Sequence, residues 1–324
     1  MTKKGLTERQ IIRVLKHHFD SKPPLPMGFE DDVAAFPISG HRLVVLKTDM
    51  LVGKTDVPPG MTLVQAARKA VVATVSDFAA KGVLPQGLLV SLGLAPPVRL
   101  STVNSIASGL TDGAREYGCR IVGGDTSETD DLVIDCIGFG FAEAGMILRR
   151  GGAKPGDVVA VTGDFGRTAA GLQILLGKKK PWPRRFAKLT ASVLHPSAKL
   201  ETGLKLAQTG FVNSSIDSSD GLAWSLHEIA RLSHVDIFLE SIPVAPDVRV
   251  FAREQGLVPE ELALFGGEEY ELVLTIKKDR FASVRRKVPS LRRIGEVKKG
   301  LGHVLALSGE KTRKVEPRGY EHLT

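Results

Sequence analysis

Five short acidic motifs stand at the ends of apolar segments, and they constrain the fold of this chain more than any other feature. They are EDD (30–32), KTD (47–49), SD (76–77), GGD (123–125) and DSSD (217–220). One such motif is expected of any helix cap or tight turn, because Asp and Ser cap helices and Gly permits turns. Five of them predict a layered fold in which strand ends converge in space. Converged carboxylates repel one another, so the chain is expected to neutralise them with cations.

The apolar segments between these motifs alternate between strand and helix periodicities, which is typical of layered folds that mix both elements. The predicted helices of the first half cover the first 20 residues (capped at Thr7), 62–82 (closed by Gly82) and 101–118. The predicted strands of that half are 42–49, 87–94, 119–126 and 131–143.

A Gly-rich segment with a proline, RRGGAKPGD (149–157), marks a boundary. We therefore predict an α+β protein of two layered α/β-type domains, residues 1–148 and 149–324. The second half is predicted to contain strand 157–163, helices near 167–176 and 196–210, a strand–turn–helix around 217–220, strands at 235–240 and 269–276, and two short C-terminal strands.

Composition excludes several broad classes of protein. The chain is 43% hydrophobic, but no apolar run approaches the ~18 residues of a membrane span. The N-terminus lacks the apolar core of a secretory signal, so we expect a soluble cytoplasmic protein. Cys119 and Cys136 have no metal-like spacing and support no disulfide framework. The net charge of +8, gathered in clusters such as KKKPWPRR (178–185) and RRK (285–287), suits anionic partners.

The chemistry of the acidic motifs favours a hard divalent cation. Their side chains are carboxylates and hydroxyls without a His or Cys partner, which are ligands typical of Mg²⁺ and not of zinc. Clustered Mg²⁺ usually serves phosphates. The motifs therefore predict a phosphate-handling site with several Mg²⁺ ions.

Motifs of other phosphate-binding folds are missing. GLQILLGKK (171–179) lacks the spacing and the hydroxyl of a P-loop. DFG (164–166) lacks the other signatures of a protein kinase, and we predict only a turn there. No activated nucleophile or general base is evident either. Phosphoryl transfer to an acceptor that is already a phosphate fits this pattern, because such an acceptor needs charge neutralisation and no base.

The ordered motifs EDDVAAF, KTDMLV, VSDFAAKGV, IVGGDTS, RRGGAKPGDVVAVTG, IDSSDGL and FGGEEYEL resemble those of the thiamine-monophosphate kinase family. That family belongs to the superfamily of aminoimidazole ribonucleotide synthetase and selenophosphate synthetase. The resemblance extends from about residue 6 to GYEHL (319–323). It implies a homodimer whose N-terminal strands pair across the interface, with ATP and several Mg²⁺ ions between the two domains.

The resemblance also implies roles for individual residues. Asp49, Asp217 and Asp220 would be the catalytic carboxylates. The implied metal ligands are Asp32, Thr48, Asp49, Asp77, Asp125, Asp217 and Asp220. The implied ATP contacts are Gly124, Asp125, Arg150 and Ser219, and the implied contacts to thiamine phosphate are Asp56, Glu268 and Tyr320.

The sequence departs from the family pattern at four places. Glu30 stands where a Gly is usual, and Thr74 stands where an Asn is common. The loop GKTDVPPGM (53–61), which contains Asp56, lacks a histidine that many members carry. Glu269 replaces an Asp. None of these changes removes an implied metal ligand, so they concern recognition of the acceptor more than that of ATP.

Two alternative functions stay open at this point. A sister ATP-dependent enzyme, similar to aminoimidazole ribonucleotide synthetase, would share most motifs. The selenophosphate synthetases use a reactive Cys or selenocysteine near the N-terminus, whereas no Cys precedes Cys119. A basic nucleic-acid-binding protein would explain the net charge but not the acidic motifs, and only 6% of the residues are aromatic. We therefore expect ATP and thiamine monophosphate as partners, and no specific nucleic acid.

Overall fold

The structure, a computed structural model, describes residues 5–19, 25–177, 183–308 and 311–323. Its strands form two sheets, one of five strands and one of seven, and helices pack against both. The predicted α+β class is therefore confirmed. Most of the basic cluster KKKPWPRR, residues 178–182, lies outside the described residues.

The first half of the described chain forms the five-stranded sheet and four helices. The strands are β1 (Ala34–Ser39), β2 (Arg42–Val52), β3 (Pro85–Leu94), β4 (Arg120–Glu128) and β5 (Val133–Glu143). The helices are α1 (Glu8–His18), α2 (Gly53–Asp56), α3 (Leu63–Lys81) and α4 (Leu100–Glu116).

Local sequence signals explain where two of these helices begin and end. Thr7 and Thr62 each form a capping box, with Gln10 and Gln65 respectively, which satisfies backbone N–H groups of the first turn. Gly82 ends α3 in the left-handed conformation, at φ 65°, which a residue without Cβ adopts at no steric cost. The predictions at Thr7 and Gly82 are confirmed.

The five-stranded sheet has the order β1-β2-β5-β3-β4, and only β3 and β4 pair in parallel. Burial alternates along β2, as expected of a sheet with one covered face. Leu43, Val45 and Leu51 are buried on the face that packs against α3, whereas Leu46 and Met50 point the other way and are exposed. We call this second face the open face, and no helix of the described residues covers it.

The second half of the described chain forms the seven-stranded sheet, of order β12-β11-β8-β10-β6-β9-β7. Its strands are β6 (Val158–Val161), β7 (Val212–Asp217), β8 (Val235–Leu239), β9 (Leu272–Ile276), β10 (Arg292–Lys299), β11 (Val304–Ser308) and β12 (Lys311–Lys314). Its helices are α5 (Arg167–Leu176), α6 (Ala187–Leu194), α7 (Leu200–Ala207), α8 (Leu222–Ser233), α9 (Pro246–Gln255), α10 (Pro259–Phe265) and α11 (Phe281–Lys287). Of all helices in the described ranges, none combines the length and the apolar character needed to cross a membrane.

Helix α3 connects the two halves. It contacts β2 and β5 of the first sheet, and also α7 and β7 of the second half. One apolar core includes Val75 of α3 and Leu88 of β3 together with Leu272 and Leu274 of β9. Because α3 contacts both halves, its polar residues lie where the halves meet. The division into domains at 148/149 stays a prediction.

The structure corrects several boundaries. The predicted strand 269–276 covers only 272–276, because Glu268 and Tyr270 adopt left-handed backbone angles of φ 62° and 52° that no strand accommodates. The predicted helix 196–210 covers only α7. The sequence patterns did not indicate β1, α2, α6 or α9 to α11, and the two short strands expected at the C-terminus are three.

Candidate active site

Three of the predicted metal ligands come together where α3 meets the second half. Asp32 precedes β1, Asp77 lies in α3 and Asp217 ends β7. One carboxylate oxygen of each lies within 4.8 Å of those of the other two, and all three residues are buried. We call this set the acidic cluster. Its all-oxygen donors are those that Mg²⁺ prefers.

Three basic side chains neutralise part of the acidic cluster. The Nζ atom of Lys81 lies 2.7 Å from Asp32 Oδ2, and that of Lys47 lies 2.9 Å from Asp77 Oδ2. The guanidinium of Arg150 forms an ion pair with Oδ1 of Asp32. Arg150 is among the residues predicted from the sequence, and neither lysine is. Lys81 has no solvent-exposed surface, but in the sequence it does not differ from a lysine that closes a helix.

The pKa values within the acidic cluster diverge. Burial, followed by the charge of Asp32, raises the pKa of Asp217 to about 7. Burial also raises the pKa of Asp77 well above its ordinary value, although Lys47 opposes this effect. Burial disfavours ionisation of Asp32 as well, but the charges of Arg150 and Lys81 outweigh it and lower that pKa. The chain thus supplies enough positive charge for Asp32 alone, and the other two carboxyls favour a further cation.

Asp49 and Thr48 are neighbours on β2 and therefore point to opposite faces of the sheet. Asp49 faces α3, and Lys47 Nζ lies 3.9 Å from its Oδ2. Burial is the largest cause of its raised pKa. Thr48 lies on the open face, where its Oγ1 donates to Asp135 Oδ1 at 2.7 Å. Asp135, which the sequence analysis missed, is an acid within the apolar strand segment DLVIDCIGF (131–139).

The structure does not bring Asp125 to the acidic cluster of its own chain. Asp125 lies on β4, whose residues are all exposed, and it pairs with Ser91 of β3, which pairs with Asp135 of β5. Because strands are about 4.8 Å apart, the three strand intervals from β4 to β2 separate Asp125 from Asp49 by roughly 14 Å. Gly124 has a packing role, since a Cβ atom there would lie 1.8 Å from Val90 O.

The segment 266–271, which we call the clamp, holds the DSSD turn in place through backbone hydrogen bonds. Glu268 N–H donates to Ser219 O at 2.6 Å, and Tyr270 N–H donates to Ser218 O at 3.1 Å. The exposed side chain of Ser219 is thereby held beside Asp220. Left-handed backbone angles in non-glycine residues are costly and persist where surrounding contacts impose them. The strained backbone at Glu268 and Tyr270 therefore belongs to this clamp.

Glu269 connects the clamp to the DFG turn. Its Oε1 accepts the backbone N–H groups of Gly166 at 2.6 Å and of Thr168 at 3.1 Å, at the start of α5. The sequence prediction of a turn at DFG is confirmed. Burial raises the pKa of Glu269 to about 7, even though both N–H groups oppose the shift.

The remaining predicted residues surround Asp220. Burial, followed by the charge of Glu8, raises the pKa of Asp220 to about 6. Tyr320 N–H donates to Asp220 O at 2.9 Å, and the tyrosine side chain is exposed. Asp56, at the end of α2, accepts Val52 N–H at 2.7 Å through Oδ2. These residues border a polar region next to the acidic cluster, with carboxylates from both halves of the chain.

The N-terminal helix and the C-terminal segment contact each other beside Asp220. Arg9 lies 3.4 Å over the ring of Trp224 and pairs with Glu321 at 3.4 Å. His322 N–H donates to Glu8 Oε2 at 3.0 Å. The two ends of the described chain thus meet beside Asp220.

Comparison with known proteins gives a consistent result. Residues 30–142 match the family described as AIR synthase related protein, N-terminal domain. The chain is 36% identical over 321 residues to the thiamine-monophosphate kinase of Nitrosopumilus maritimus, covering 98% of both chains. It is 37% identical over 325 residues to the thiamine-monophosphate kinase of Pyrococcus horikoshii, covering 100% of this chain and 97% of that one.

Solved structures agree with these sequence relatives. The structure superposes with a TM-score of 0.87 on "AaThiL complexed with AMPPCP and TMP", at 30% identity and 99% coverage of both chains. The hydrogenase maturation protein HypE in complex with ATP is 22% identical, with a TM-score of 0.71 and coverage of 98% and 96%, and shows a common fold alone.

Proposed function

The chain belongs to the thiamine-monophosphate kinase family, and from this premise we propose that it phosphorylates thiamine monophosphate to thiamine diphosphate at the expense of ATP. The observation that carries the proposal is the acidic cluster of Asp32, Asp77 and Asp217 at the meeting point of both halves. A full-length relative in complex with AMPPCP and TMP supports the choice of substrates.

The residues present fit Mg²⁺, and we propose that several ions bind. The acidic cluster offers three buried carboxylates with oxygen atoms within one coordination sphere of each other, and Asp77 and Asp217 have raised pKa values that a bound cation would lower. Asp49 and Asp220, whose pKa values are also raised, would be the ligands of further ions. Bound Mg²⁺ would neutralise charge on the transferring phosphoryl group and the two oxygens it moves between.

The side chains of this protein have separate tasks in the proposed reaction. Lys47 and Lys81 limit the repulsion among the carboxylates before substrates arrive. Arg150 is held by Asp32 at the edge of the cluster, from where its guanidinium is suited to a phosphate of ATP. The clamp around Ser218 and Ser219 fixes the backbone next to Asp217. These tasks are positioning and electrostatic stabilisation, which dominate phosphoryl transfer.

We propose direct in-line transfer without a phosphoenzyme. The acceptor is a phosphate and is anionic without a general base. The thiol nearest the site is Cys136, which pairs with Asp49 across the sheet, and burial raises its pKa to about 12, so it is no nucleophile at neutral pH. Inversion of configuration at a chiral γ-phosphorus is the expected result, and net retention would contradict it.

We also propose that the enzyme works as a homodimer joined through the open face. Exposed apolar side chains on that face, among them Leu46, Met50 and Leu89, support an interface. Asp125 lies on the edge strand β4, away from the acidic cluster of its own chain, and this position supports a shared site in which Asp125 of the partner subunit completes the ligand set. Residues of both chains would then bind the same nucleotide.

The decisive experiment incubates the protein with ATP, Mg²⁺ and thiamine monophosphate and separates the products by chromatography. We expect thiamine diphosphate and ADP in equal amounts, and none after removal of divalent metal. Absence of the diphosphate with folded protein and metal present would refute the proposal. Formation of aminoimidazole ribonucleotide from its acyclic precursor, assayed with ATP, tests the sister activity. Binding of DNA or RNA that persists near 0.2 M salt would favour the nucleic-acid alternative, since unspecific phosphate contacts weaken steeply with salt.

A further inference from the structure

Lys69 is a buried cation whose ion-pair partner, Glu268, lies outside the acidic cluster. It lies on α3 with 3% of its surface exposed. Burying an ammonium group is costly unless charged or polar partners replace its water. Its Nζ atom lies 2.5 Å from Glu268 Oε1 and donates to the backbone oxygen of Asp56 at 2.9 Å. Lys69 therefore joins the two carboxylate residues that the resemblance assigns to the acceptor.

The two partners of Lys69 come from different halves of the chain and are held differently. Asp56 is fixed in the first half, because Val52 N–H holds its carboxylate. Glu268 belongs to the second half and stands on the strained backbone of the clamp. Its main chain is bound by Ser219, while Lys69 is the ion-pair partner of its carboxylate in the described chain. The direction of the Glu268 side chain thus depends on Lys69.

We propose that Lys69 is a positioning residue that sets recognition of the acceptor by fixing the Glu268 carboxylate between the two halves of the chain. This inference rests on the proposed function. Lys69 leaves the group of Asp56, Glu268 and itself with one net negative charge, which suits a cationic ring such as the thiazolium of thiamine monophosphate. Without Lys69, the Glu268 carboxylate would lose its ion-pair partner and would turn towards water.

The test measures binding and not turnover. Thiamine monophosphate and a non-hydrolysable ATP analogue are titrated separately by calorimetry into wild type, Lys69→Met, Lys69→Arg and the control Lys205→Met. Lys205 is an exposed lysine of α7 whose ion-pair partner is the exposed Glu201. We expect Lys69→Met to weaken binding of thiamine monophosphate at least tenfold and that of the ATP analogue less than twofold. Lys69→Arg should recover part of the loss, and Lys205→Met should bind both ligands like wild type.

A double-mutant cycle identifies Glu268 as the residue through which Lys69 acts. Glu268→Gln should weaken binding of thiamine monophosphate by a similar factor, and the Lys69→Met/Glu268→Gln protein should bind no more weakly than either single variant. Additive losses would show that Lys69 acts independently of Glu268 and would overturn the proposal.

The other outcomes are also decisive. Wild-type affinity of Lys69→Met for thiamine monophosphate overturns the inference, and so does an equal loss for both ligands together with a lower melting temperature, which indicates a structural role. If Lys69→Met does not fold, the test uses Lys69→Arg, which should lose more affinity for thiamine monophosphate than for the ATP analogue. If wild type itself does not bind thiamine monophosphate, the proposed function fails and the inference fails with it.

Discussion

The acidic cluster and the open face both carry carboxylates, but in opposite surroundings. Asp32, Asp77 and Asp217 are buried close to one another. Lys81 and Arg150 form ion pairs with Asp32, and Lys47 forms one with Asp77. On the open face, Asp135 has the neutral partner Thr48, and Asp125 stands on the exposed edge strand. Charges in the interior interact strongly and need fixed partners, whereas charges at the surface are screened by water. The cluster is thus organised within one chain, whereas the proposed role of the open face requires a second surface against it.

The largest expected effect comes from removing charge inside the acidic cluster. Asp217→Asn keeps an oxygen that can accept the hydrogen bond from Ser76 Oγ but removes one of three crowded carboxylates. We expect kcat to fall by about 10²- to 10³-fold, in the range of losses seen when one transition-state contact is removed. The melting temperature of the metal-free protein at pH 8 should stay equal or rise.

The matched control is Asp112→Asn, an exposed carboxylate whose partner is Arg115. It should leave both kcat and the melting temperature unchanged. Normal turnover by Asp217→Asn together with a lower melting temperature would show that Asp217 is a structural cap.

The second test asks whether the open face completes the site of a partner. Asp49→Asn and Asp125→Asn chains should each be nearly inactive. If each site combines Asp49 of one chain with Asp125 of the other, random mixing puts half of the chains into mixed dimers, each with one intact site. Unfolding and refolding an equal mixture should then restore about a quarter of wild-type activity.

This result depends on dimers, which sedimentation checks independently. A mixture that stays inactive, although it forms dimers, would show that Asp49 and Asp125 act in the same chain. A protein that is monomeric at micromolar concentration would contradict the proposed interface altogether.

A smaller effect is expected from Arg150, at the rim of the acidic cluster. Arg150→Ala removes a charge-assisted contact to phosphate, typically worth about 1.5–3 kcal/mol, and also deprives Asp32 of one of its two cations. The KM for ATP should rise and kcat should fall, by a combined factor of about 10 to 100. Steady-state kinetics with varied ATP measures both constants.

Arg149 is the matched control, because its side chain points away and its Nη1 donates to Pro26 O at 2.6 Å. Arg149→Ala should change kcat/KM less than Arg150→Ala. Equal losses in the two variants would mean that the segment matters as a whole and that Arg150 has no specific contact with ATP.

The smallest expected effect is a change with pH in how much Glu269 contributes to stability. Its folded-state pKa of about 7 exceeds the ordinary value of 4.5, so its contribution to stability is complete below about pH 4.5 and is lost as the pH rises through 7. Glu269→Gln stays neutral at all pH values. The melting temperature of wild type minus that of Glu269→Gln should therefore fall by a few degrees between pH 5 and pH 8.

Asp247→Asn is the control for this titration, because Asp247 pairs with Arg167 in the first turn of the same helix α5. Its melting-temperature difference from wild type should show no such decrease over the same pH range. A difference that rises with pH for Glu269→Gln would show that the ionised carboxylate stabilises the start of α5.

The sequence alone determined which residue types are present and which local structures they favour. The cap at Thr7 and the closing Gly82 follow from contacts within a few residues, and the structure confirms both predictions. The acidic motifs predicted convergence, and Asp32, Asp77 and Asp217 do converge. The expectation that all five motifs stand at element ends is wrong, because Asp49, Asp77 and Asp125 lie inside β2, α3 and β4. The same local information failed at 269–271, where contacts with Ser218 and Ser219 impose backbone angles that no strand pattern reveals.

Only the tertiary structure decided which charges share an environment. Asp77 and Asp217 are 140 positions apart, and they meet because α3 lies between the two sheets. Lys47, Lys69 and Lys81 look like ordinary surface lysines in the sequence, and burial next to carboxylates gives them their roles. Thr48 and Asp49 are adjacent in the chain but face opposite sides of a sheet. Electrostatic interactions depend on distance and on exclusion of water, and both are properties of packing between segments that are distant along the chain.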